Sequence, residues 1–479
     1  MIFNYLSMNK LILFALFFLP IISFSQKDKS DKLIKNQLED FEIFKEAILL
    51  NSAGIYFYNT EKEINDRIDS LENDLSNSPK TTIEQYRLYL KFVASVRCGH
   101  TMLFSPEALK EFMKNKSRLP FGCHLMNDKL LVGDYLIDTI KNKIPKYTEI
   151  VSINNESIPT IIHKISHYIT KDGINQTHIN ERIKSQFALD YYIFVHQTDT
   201  FSIRYMSPSN DTLSSRIPGI IPKDIASKSL KKKKKSFKLF KKNTIETSFK
   251  IDSLTHTGIL TLSYPLTNDF KYKYQLNKIF KKLRKDSIQN LILDLRSNGG
   301  GLSQDYIAGF FTDSSYLYES LQYEGKARIN RHYGFPFNGQ RFAVFTVKLA
   351  SKIHKKPFEF KTKPRKNRFK GQLYILTNGM TFSAASNLTS TLKEHSNAIT
   401  IGEETGGSYL KCSSGGLLLK LPNSKLKLRV NPIRFENNVK IKETKGGVVP
   451  DYVIKPDMIW DSKNDVQLKF ALELISKKK

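Results

Sequence analysis

The stretch LILDLRSNGGG, residues 291–301, decides the fold of this chain. Its first half is apolar apart from one aspartate, which is typical of a buried strand, and it runs directly into Gly299, Gly300 and Gly301. Glycines in such a loop let backbone N–H groups approach a bound group closely. A flexible turn is the alternative interpretation. A phosphate loop is disfavoured, because no GxxxxGK pattern followed by Ser or Thr is present.

The sequence around this stretch, from residue 246 to residue 479, alternates strands and helices. The strand segment SLTHTGILTLSY precedes the helix YKYQLNKIFKKLRK, and NLILDLRS and QLYILTN follow as strands, the last leading into another helix. This alternation predicts an α/β domain with inner strands over residues 246–479.

A second segment, YILTNGMTFSAASNLTSTLKEH at residues 374–395, places Ser383 where a strand gives way to a helix. A helix N-terminus presents unpaired N–H groups and a positive dipole end, and both favour an oxyanion forming beside Ser383. This pattern is typical of a nucleophile at a strand-to-helix junction. The alternative is that Ser383 merely caps the helix.

Residues 27–118 have helical periodicity. Apolar residues recur at spacings of three and four in EQYRLYLKFVASV and in SPEALKEFMK, where Ser105 is the predicted N-cap and Pro106 the first helical residue. VRCGHTMLF joins the two helices. His100 is therefore predicted to lie on a connecting loop just before a helix.

Residues 119–207 change to short strands such as EIVSINNESI and DTFSIRYM, with a tight turn at Asn154 and Asn155. The stretch IPKYTEIVSINNESIPTIIHKI resembles part of a PDZ domain, a module that accepts an extended peptide as an added strand. Residues 208–245 contain nine lysines between Lys228 and Lys242 and are predicted to form a basic linker.

The N-terminus predicts a secretory signal peptide over residues 1–25. MNKLILFALFFLPIISFSQ has a lysine, an apolar run and then small and polar residues. The run from Leu11 to Ile22 is too short for a membrane anchor and contains Pro20. No cysteine follows for a lipid anchor, so we expect a periplasmic or secreted protein without an integral membrane segment after cleavage.

The composition disfavours several kinds of partner and site. A formal charge of +29 suits an anionic partner, yet no recognition module accompanies the charge, so nucleic acid is not an expected partner. The three cysteines are far apart, which argues against a disulfide framework. Neither CxxC nor HExxH occurs, so no metal site is predicted, and we expect no cofactor.

Five short motifs occur in a fixed order: VRCGHT, DLRSNGGG, TFSAAS, GEETGG and GGVVPD. In order and spacing they resemble the motifs of the tail-specific, C-terminal-processing serine peptidase family, in its tricorn-core-like branch. The resemblance implies a crotonase-like core of strand-strand-helix repeats. It also implies endopeptidase or C-terminal-trimming activity on proteins or peptides, with the substrate's C-terminal tail as a point of capture.

The resemblance offers two bases for Ser383. One branch uses a lysine 25 residues downstream, where this chain has Ser408, and Lys411 would point to the opposite face of an extended strand. The other branch uses the histidine of a GHT motif, which is intact here at residues 99–101. A neutral imidazole with an unperturbed pKa of ~6.5 suits proton exchange near neutrality. His100 is therefore the predicted general base.

A carboxylate that orients the imidazole is also implied by the resemblance. Glu443, seven residues before Pro450, is the predicted residue, with Glu436 and Asp451 as competitors. The family often has aspartate before the GHT motif, whereas this chain has Cys98, which we do not expect to act as a nucleophile.

The resemblance places the oxyanion hole at the backbone N–H of Ala384 and at one from the Gly300 region. Asp294 and Arg296 are expected to lock the glycine loop as a buried ion pair. The sequence thus predicts an exported serine endopeptidase, with a non-catalytic binding protein of the same fold, or an envelope interaction protein, as alternatives.

Overall fold

The computed structural model describes residues 5–126, 129–137, 140, 142–223, 247–262, 264–326, 333–334, 340–354, 356–441, 445–456 and 465–477. The lysine run between Lys228 and Lys242, predicted to be a linker, lies outside these residues. The α/β class predicted from the sequence is confirmed.

The helices of the described residues are α1 (Tyr5–Asn51), α2 (Glu61–Ser76), α3 (Thr82–Ser95), α4 (Glu107–Lys114), α5 (Ile158–Ser166), α6 (Thr177–Phe194), α7 (Phe270–Lys285), α8 (Gln304–Ala308), α9 (Gln340–His354), α10 (Ala384–His395) and α11 (Val466–Ser476).

The strands are β1 (Met102–Phe104), β2 (Phe121–Met126), β3 (Lys129–Tyr135), β4 (Glu149–Ile153), β5 (Glu156–Ser157), β6 (Thr200–Met206), β7 (Thr212–Pro218), β8 (Ser248–Asp252), β9 (Thr257–Thr261), β10 (Asn290–Asp294), β11 (Tyr316–Tyr323), β12 (Tyr333–Gly334), β13 (Phe358–Thr362), β14 (Gln372–Thr377), β15 (Ile399–Gly402), β16 (Lys411–Ser414), β17 (Leu417–Lys420), β18 (Lys427–Val430), β19 (Ile433–Asn437) and β20 (Tyr452–Val453).

The central sheet has the strand order β20-β15-β14-β10-β9-β8, and all neighbours are parallel except β8 and β9. Strand β10 is apolar on both faces because helices cover both sides. Leu291 and Leu293 pack into the core with α7 and α10, whereas Ile292 packs into the core with α11. Asp294 pairs with Leu376, so the loops that follow β10 and β14 leave the same edge of the sheet.

The N-terminal helices are attached to a second sheet, β1-β18-β17-β12. Phe41 and Phe44 of α1 share a buried core with Leu419 of β17 and Leu428 of β18. Strand β1, which begins two residues after His100, pairs antiparallel with β18. The first hundred residues are therefore joined to the C-terminal part of the chain by both a core and a sheet. A third sheet has the order β13-β11-β19-β16.

The sheet β2-β3-β4-β6-β7, with β5 paired to β4, follows the N-terminal helices. The turn predicted at Asn154 and Asn155 is present, since both residues have positive φ (50° and 66°) between β4 and β5. The helix α6 was missed by the sequence analysis. A PDZ-like character of this sheet stays a prediction.

Two boundaries differ from the sequence predictions. The linker was predicted to begin at residue 208, but β7 (Thr212–Pro218) pairs with β6 along its whole length and so belongs to the sheet. Ser105 is not the N-cap of α4. Pro106 takes that place with an extended ψ of 160°, and the helix begins at Glu107.

Within the described residues, no helix has the length and apolar character needed to span a bilayer. Cys98, Cys123 and Cys412 are buried free thiols, consistent with the absence of a disulfide framework predicted from their spacing.

Candidate active site

Ser383 stands at the junction of β14 and α10, as the sequence predicted, but its side chain makes no capping hydrogen bond. Its backbone has φ 53° and ψ −128°, a region that residues with a side chain rarely adopt. Such strain persists only where the surroundings impose it, and it concentrates at functional sites. The interpretation of Ser383 as a simple helix cap is therefore wrong.

The Ser383 hydroxyl meets His100. The Nε2 atom of His100 lies 3.0 Å from Ser383 Oγ, although 283 residues separate the two in sequence. This is hydrogen-bond distance for a base and the hydroxyl it deprotonates. The structure therefore brings together the predicted nucleophile and the predicted base.

The loop that carries His100 is held on one side by β18. Met102, two residues after His100, pairs with Arg429 of β18. The Asn431 side-chain amide donates to the His100 carbonyl at 2.7 Å. Because these contacts fix the backbone of the loop, the imidazole is positioned by the strand that follows it.

Asp172 holds the same loop from the other side. Its carboxylate accepts the Gly99 N–H at 2.7 Å and the Ser408 N–H at 3.1 Å, and the residue is only 1% exposed. Burial raises the pKa of this carboxyl to about 6, although both N–H donors act to lower it. Asp172 thus ties the GHT motif to the end of the GEETGG motif.

The remaining motifs converge at the same place. The Phe382 N–H donates to the Asn298 carbonyl at 3.0 Å, and the Gly407 N–H donates to the Thr381 carbonyl at 3.1 Å. The Val448 N–H donates to Thr405 Oγ1 at 2.8 Å. The five sequence motifs therefore form a single hydrogen-bonded site.

The electrostatic surroundings of His100 favour the neutral imidazole. Burial, reinforced by the nearby charges of Arg429 and His178, lowers the pKa of His100 to about 3. Nδ1 is buried and has no hydrogen-bond partner among the described residues. An imidazole in this setting can accept a proton at neutral pH, but the described residues offer nothing that stabilises the resulting cation.

The predicted orienting carboxylate, Glu443, lies outside the described residues. Its competitor Asp451 is engaged elsewhere, since it forms an ion pair with Lys393 at 2.7 Å and accepts the Thr400 N–H at 2.8 Å. The other competitor, Glu436, lies on β19 opposite Lys411.

The two predicted oxyanion donors differ in the structure. Ala384 is the first residue of α10, so its N–H has no acceptor one turn earlier in the helix. Gly300 lies directly against it, with φ 100°, and a Cβ there would be 2.8 Å from the Ala384 nitrogen. The Gly300 N–H, however, donates to the Asn298 side-chain oxygen at 3.0 Å.

Ser408, at the position of the alternative lysine base, is buried and accepts a hydrogen bond from the Tyr58 hydroxyl at 2.8 Å. Lys411 contacts Ser408 through its backbone N–H at 3.2 Å. Cys98 lies 3.1 Å from Ser413 Oγ, and burial raises the pKa of its thiol, which disfavours a nucleophilic thiolate.

The buried ion pair expected behind the glycine loop is present. The Arg296 guanidinium contacts Asp294 and Asp465, each at 2.7 Å. Asp465 is also the N-cap of α11, so the glycine loop is fixed to the C-terminal helix.

Sequence reasoning missed two residues of the site, Asp172 and His178. The Phe382 ring contacts two imidazoles, with its centroid 5.1 Å from that of His100 and 5.0 Å from that of His178. The Nδ1 atom of His178 is 2.9 Å from the Gly379 carbonyl, and burial lowers the pKa of this imidazole to about 4. A lone aspartate and a lone histidine outside any recognised motif carry no local signal for such roles.

Residues 257–454 match the family model described as peptidase family S41. This part of the chain belongs to peptidase family S41. The match includes Ser383, the glycine loop and the GGVVPD motif, whereas His100 and Asp172 precede it. Membership of S41 supports a serine peptidase function. No curated protein matches the chain in sequence.

Two solved structures of mature CPAF have a similar fold. Mature CPAF has a TM-score of 0.63 at 13% identity, with 93% of this chain and 96% of that chain covered. Mature CPAF complexed with lactacystin has a TM-score of 0.62 at 13% identity, with 93% and 97% covered. A putative peptidase from Parabacteroides merdae covers 92% of this chain and 96% of its own at 14% identity, with a TM-score of 0.46. At such identities, the likeness to CPAF shows the fold alone.

Proposed function

We propose that this protein is an exported serine endopeptidase that cleaves proteins or peptides of the cell envelope or its surroundings. The observation that carries the proposal is the 3.0 Å contact between His100 Nε2 and the hydroxyl of Ser383, a serine that does not cap its helix. A strained serine paired with a neutral imidazole is the arrangement required for nucleophilic catalysis.

In this mechanism, Ser383 Oγ attacks the substrate carbonyl carbon while His100 Nε2 takes the hydroxyl proton. The tetrahedral oxyanion then accepts a hydrogen bond from the Ala384 N–H. His100 returns the proton to the leaving amine, and an acyl group remains on Ser383. Water, deprotonated by the same imidazole, hydrolyses the ester and restores the serine.

A second oxyanion donor is expected from the Gly300 loop. Because the Gly300 N–H donates to Asn298 in this structure, it is available to an oxyanion only after a peptide rotation at Gly300. Glycine makes such a rotation inexpensive. The hole is therefore proposed to be completed when substrate binds.

Glu443 is proposed to orient His100, and the described neighbours support this role. The Nδ1 atom of His100 lacks a partner among those residues. The Lys445 carbonyl accepts the Ile174 N–H at 2.8 Å, and the Gly173 N–H donates to the Arg97 carbonyl at 2.9 Å. Glu443 is two residues from Lys445, a reach of at most ~7 Å along the chain. Lys445 is thus hydrogen-bonded to the segment that also contacts Arg97, three residues before His100, and this supports the proposal for Glu443.

Substrate capture through a C-terminal tail is proposed for the sheet that contains β2 to β7. The edge strands of an antiparallel sheet have unpaired backbone groups, to which an extended peptide can add as a strand. Export is proposed from the signal-like N-terminus.

The test is covalent labelling of the purified protein by a fluorophosphonate, with wild type compared with Ser383→Ala and His100→Ala. The expected result is labelling of the wild type alone, because only a serine paired with its base is activated. Lactacystin, complexed with mature CPAF in one solved structure, is expected to compete with the label.

A non-catalytic binding protein is the second candidate, favoured by the engagement of the Gly300 N–H by Asn298. It predicts a folded wild type that binds peptides and does not label. Labelling that survives His100→Ala but not Ser383→Ala would contradict the histidine base and redirect attention to Lys411.

A further inference from the structure

A cleft of about 520 Å³, whose lining includes neither Ser383 nor His100, lies where helices α2 and α3 face α5 and the segment after it. We call it the basic cleft. Its floor is apolar: Leu71 and Phe92, each 4% exposed, belong to the core of the N-terminal helices, and Ile169, 7% exposed, belongs to the core of the following sheet. The cleft therefore marks the seam between two hydrophobic cores, in the size range of small-ligand sites.

The walls of the basic cleft are cationic. Four basic side chains line it, namely Arg67, Lys91, Arg97 and Lys171, and Asp74 is the acidic residue among the lining groups. Two imidazoles, those of His163 and His167, and several hydroxyls are also present. Four cations facing one carboxylate leave an excess of positive charge in a confined space.

Within the described residues these cations form no salt bridge. The charges of Arg67 and Arg97 do act on Glu63, whose pKa is lowered by its hydrogen bonds with Thr60 and further by these two charges. Arg67 donates at 2.9 Å to two neutral acceptors, the Asn59 side chain and the Ser95 carbonyl. Partial burial and the charge of Arg97 lower the pKa of Lys171. Like charges held this close repel each other, and an anion between them would relieve that repulsion.

The apolar floor and the cationic walls of the basic cleft together indicate which class of ligand fits it. An inorganic anion would satisfy the cations but leave the apolar floor exposed. A neutral apolar molecule would cover the floor but leave the cations unpaired. A small organic anion, with a phosphate-type or carboxylate head on an apolar body, satisfies both, and arginine and lysine are suited to such heads.

We propose that the basic cleft is a binding site for a small organic anion of this kind. The head lies between Lys91, Arg97 and Lys171, and the body lies on Leu71, Phe92 and Ile169. The site is independent of the Ser383 chemistry, so a Ser383→Ala protein is expected to bind the ligand equally well. Free anions and lipid headgroups share this chemistry, and the experiment separates the two sources.

The test is isothermal titration of the full chain with octyl phosphate at low ionic strength, with inorganic phosphate and octanol as comparators. Octyl phosphate is expected to bind once per chain and at least about tenfold more tightly than either comparator, since only it uses both parts of the cleft. Raising the salt concentration is expected to weaken binding.

The double variant Lys91→Gln/Lys171→Gln is expected to weaken octyl phosphate binding by about tenfold or more. The matched control, Lys110→Gln/Lys114→Gln, removes two lysines from α4 and leaves the affinity within about twofold. Ser70→Glu, at an exposed position of α2 in the cleft lining, adds a negative charge without removing a contact and is expected to weaken binding too.

Thermal denaturation of each variant shows that it is folded. The proposal is overturned if the folded wild type gives no saturable binding of octyl phosphate, or if the cleft variants and the control bind equally. Binding confined to phosphatidylglycerol vesicles and unaffected by Ser70→Glu would also overturn it, because the basic surface as a whole would then be responsible.

Discussion

The two halves of the candidate site are built in different ways. Ser383, Ala384 and the glycine loop follow two adjacent parallel strands, β10 and β14, inside the segment that matches family S41. His100 precedes that segment and reaches the serine through the pairing of β1 with β18 and through the buried carboxylate of Asp172. The nucleophile is thus placed by local sequence, whereas the base is placed by distant contacts.

This difference indicates which part of the site is more sensitive to substitution. The nucleophile half rests on the central sheet, whose strands are buried on both faces. The base half depends on contacts between segments far apart in sequence, namely a shared core, the pairing of β1 with β18 and the hydrogen bonds of Asp172. Variants in the two halves are therefore expected to differ in how activity and stability change together. The rate of fluorophosphonate labelling measures activity without a known substrate.

The largest effect is expected from His100→Ala. Loss of the base is expected to slow labelling of Ser383 by about 10⁴-fold, the upper range for general base catalysis. His178→Ala is the matched control, because His178 also packs against the Phe382 ring but its Nδ1 atom pairs with the Gly379 carbonyl and not with Ser383. Its labelling rate is expected to stay within about tenfold of wild type. Equal losses in both variants would contradict the assignment of His100 as the base.

Glu443→Gln is expected to slow labelling by about 10³-fold, because an amide cannot stabilise the imidazolium as a carboxylate does.

The pH dependence of the labelling rate makes the test of Glu443 specific. The described residues lower the pKa of His100 to about 3, and a carboxylate at Nδ1 would raise it. The acidic limb of the labelling rate is therefore expected to lie higher in wild type and to move down towards pH 3 in the variant. Glu436→Gln, on β19, is the control. An unmoved limb in Glu443→Gln would assign the orienting role elsewhere.

Gly300→Ala tests the nucleophile half. A Cβ at this residue would lie 2.8 Å from the Ala384 nitrogen, the Phe382 carbonyl oxygen and Ser383 Cβ, and the φ of 100° disfavours any side chain. Labelling is expected to fall by about 10²-fold, as when one oxyanion donor is lost. Gly122→Ala is the control, because its Cβ would meet nothing closer than 3.8 Å. Unchanged labelling in folded Gly300→Ala would remove the glycine loop from the oxyanion hole.

The parts of the site that sequence predicted are those with local signals. The apolar strand before the three glycines and the strand-to-helix junction at Ser383 are patterns of neighbouring residues, and the structure places both as expected. His100 was recognised through the resemblance of its GHT motif to a family pattern. Its 3.0 Å contact with Ser383 depends on a strand pairing that periodicity does not encode.

The parts that sequence missed depend on tertiary contacts. Asp172 lies in a turn-like segment, and nothing local indicates that its carboxylate is buried against two N–H groups. Strand β7 was assigned to a linker because its sequence is polar and has little apolar periodicity. It is a strand because it pairs with β6, a tertiary contact that its own sequence does not indicate. The role of Glu443 stays a prediction.

Asp172→Asn tests whether the base half depends on the hydrogen bonds of this carboxylate. An amide keeps the shape but turns a donor towards one of two N–H groups, so the His100 loop is expected to loosen and labelling to slow by about tenfold. The pKa of Asp172 is raised to about 6, so the folded protein binds a proton here more readily than the unfolded chain does. This group therefore stabilises the fold at low pH, and the contribution is lost as the pH rises from about 4 to about 6. The asparagine variant lacks that loss, so the difference in thermal midpoint between wild type and variant is expected to shrink on going from pH 4.5 to pH 7.5.

Asp134→Asn, at an exposed carboxylate on β3, should leave labelling and this pH dependence unchanged. If Asp172→Asn labels like wild type, the position of His100 is set by β18 alone, and the contrast between the two halves of the site is smaller than these contacts indicate.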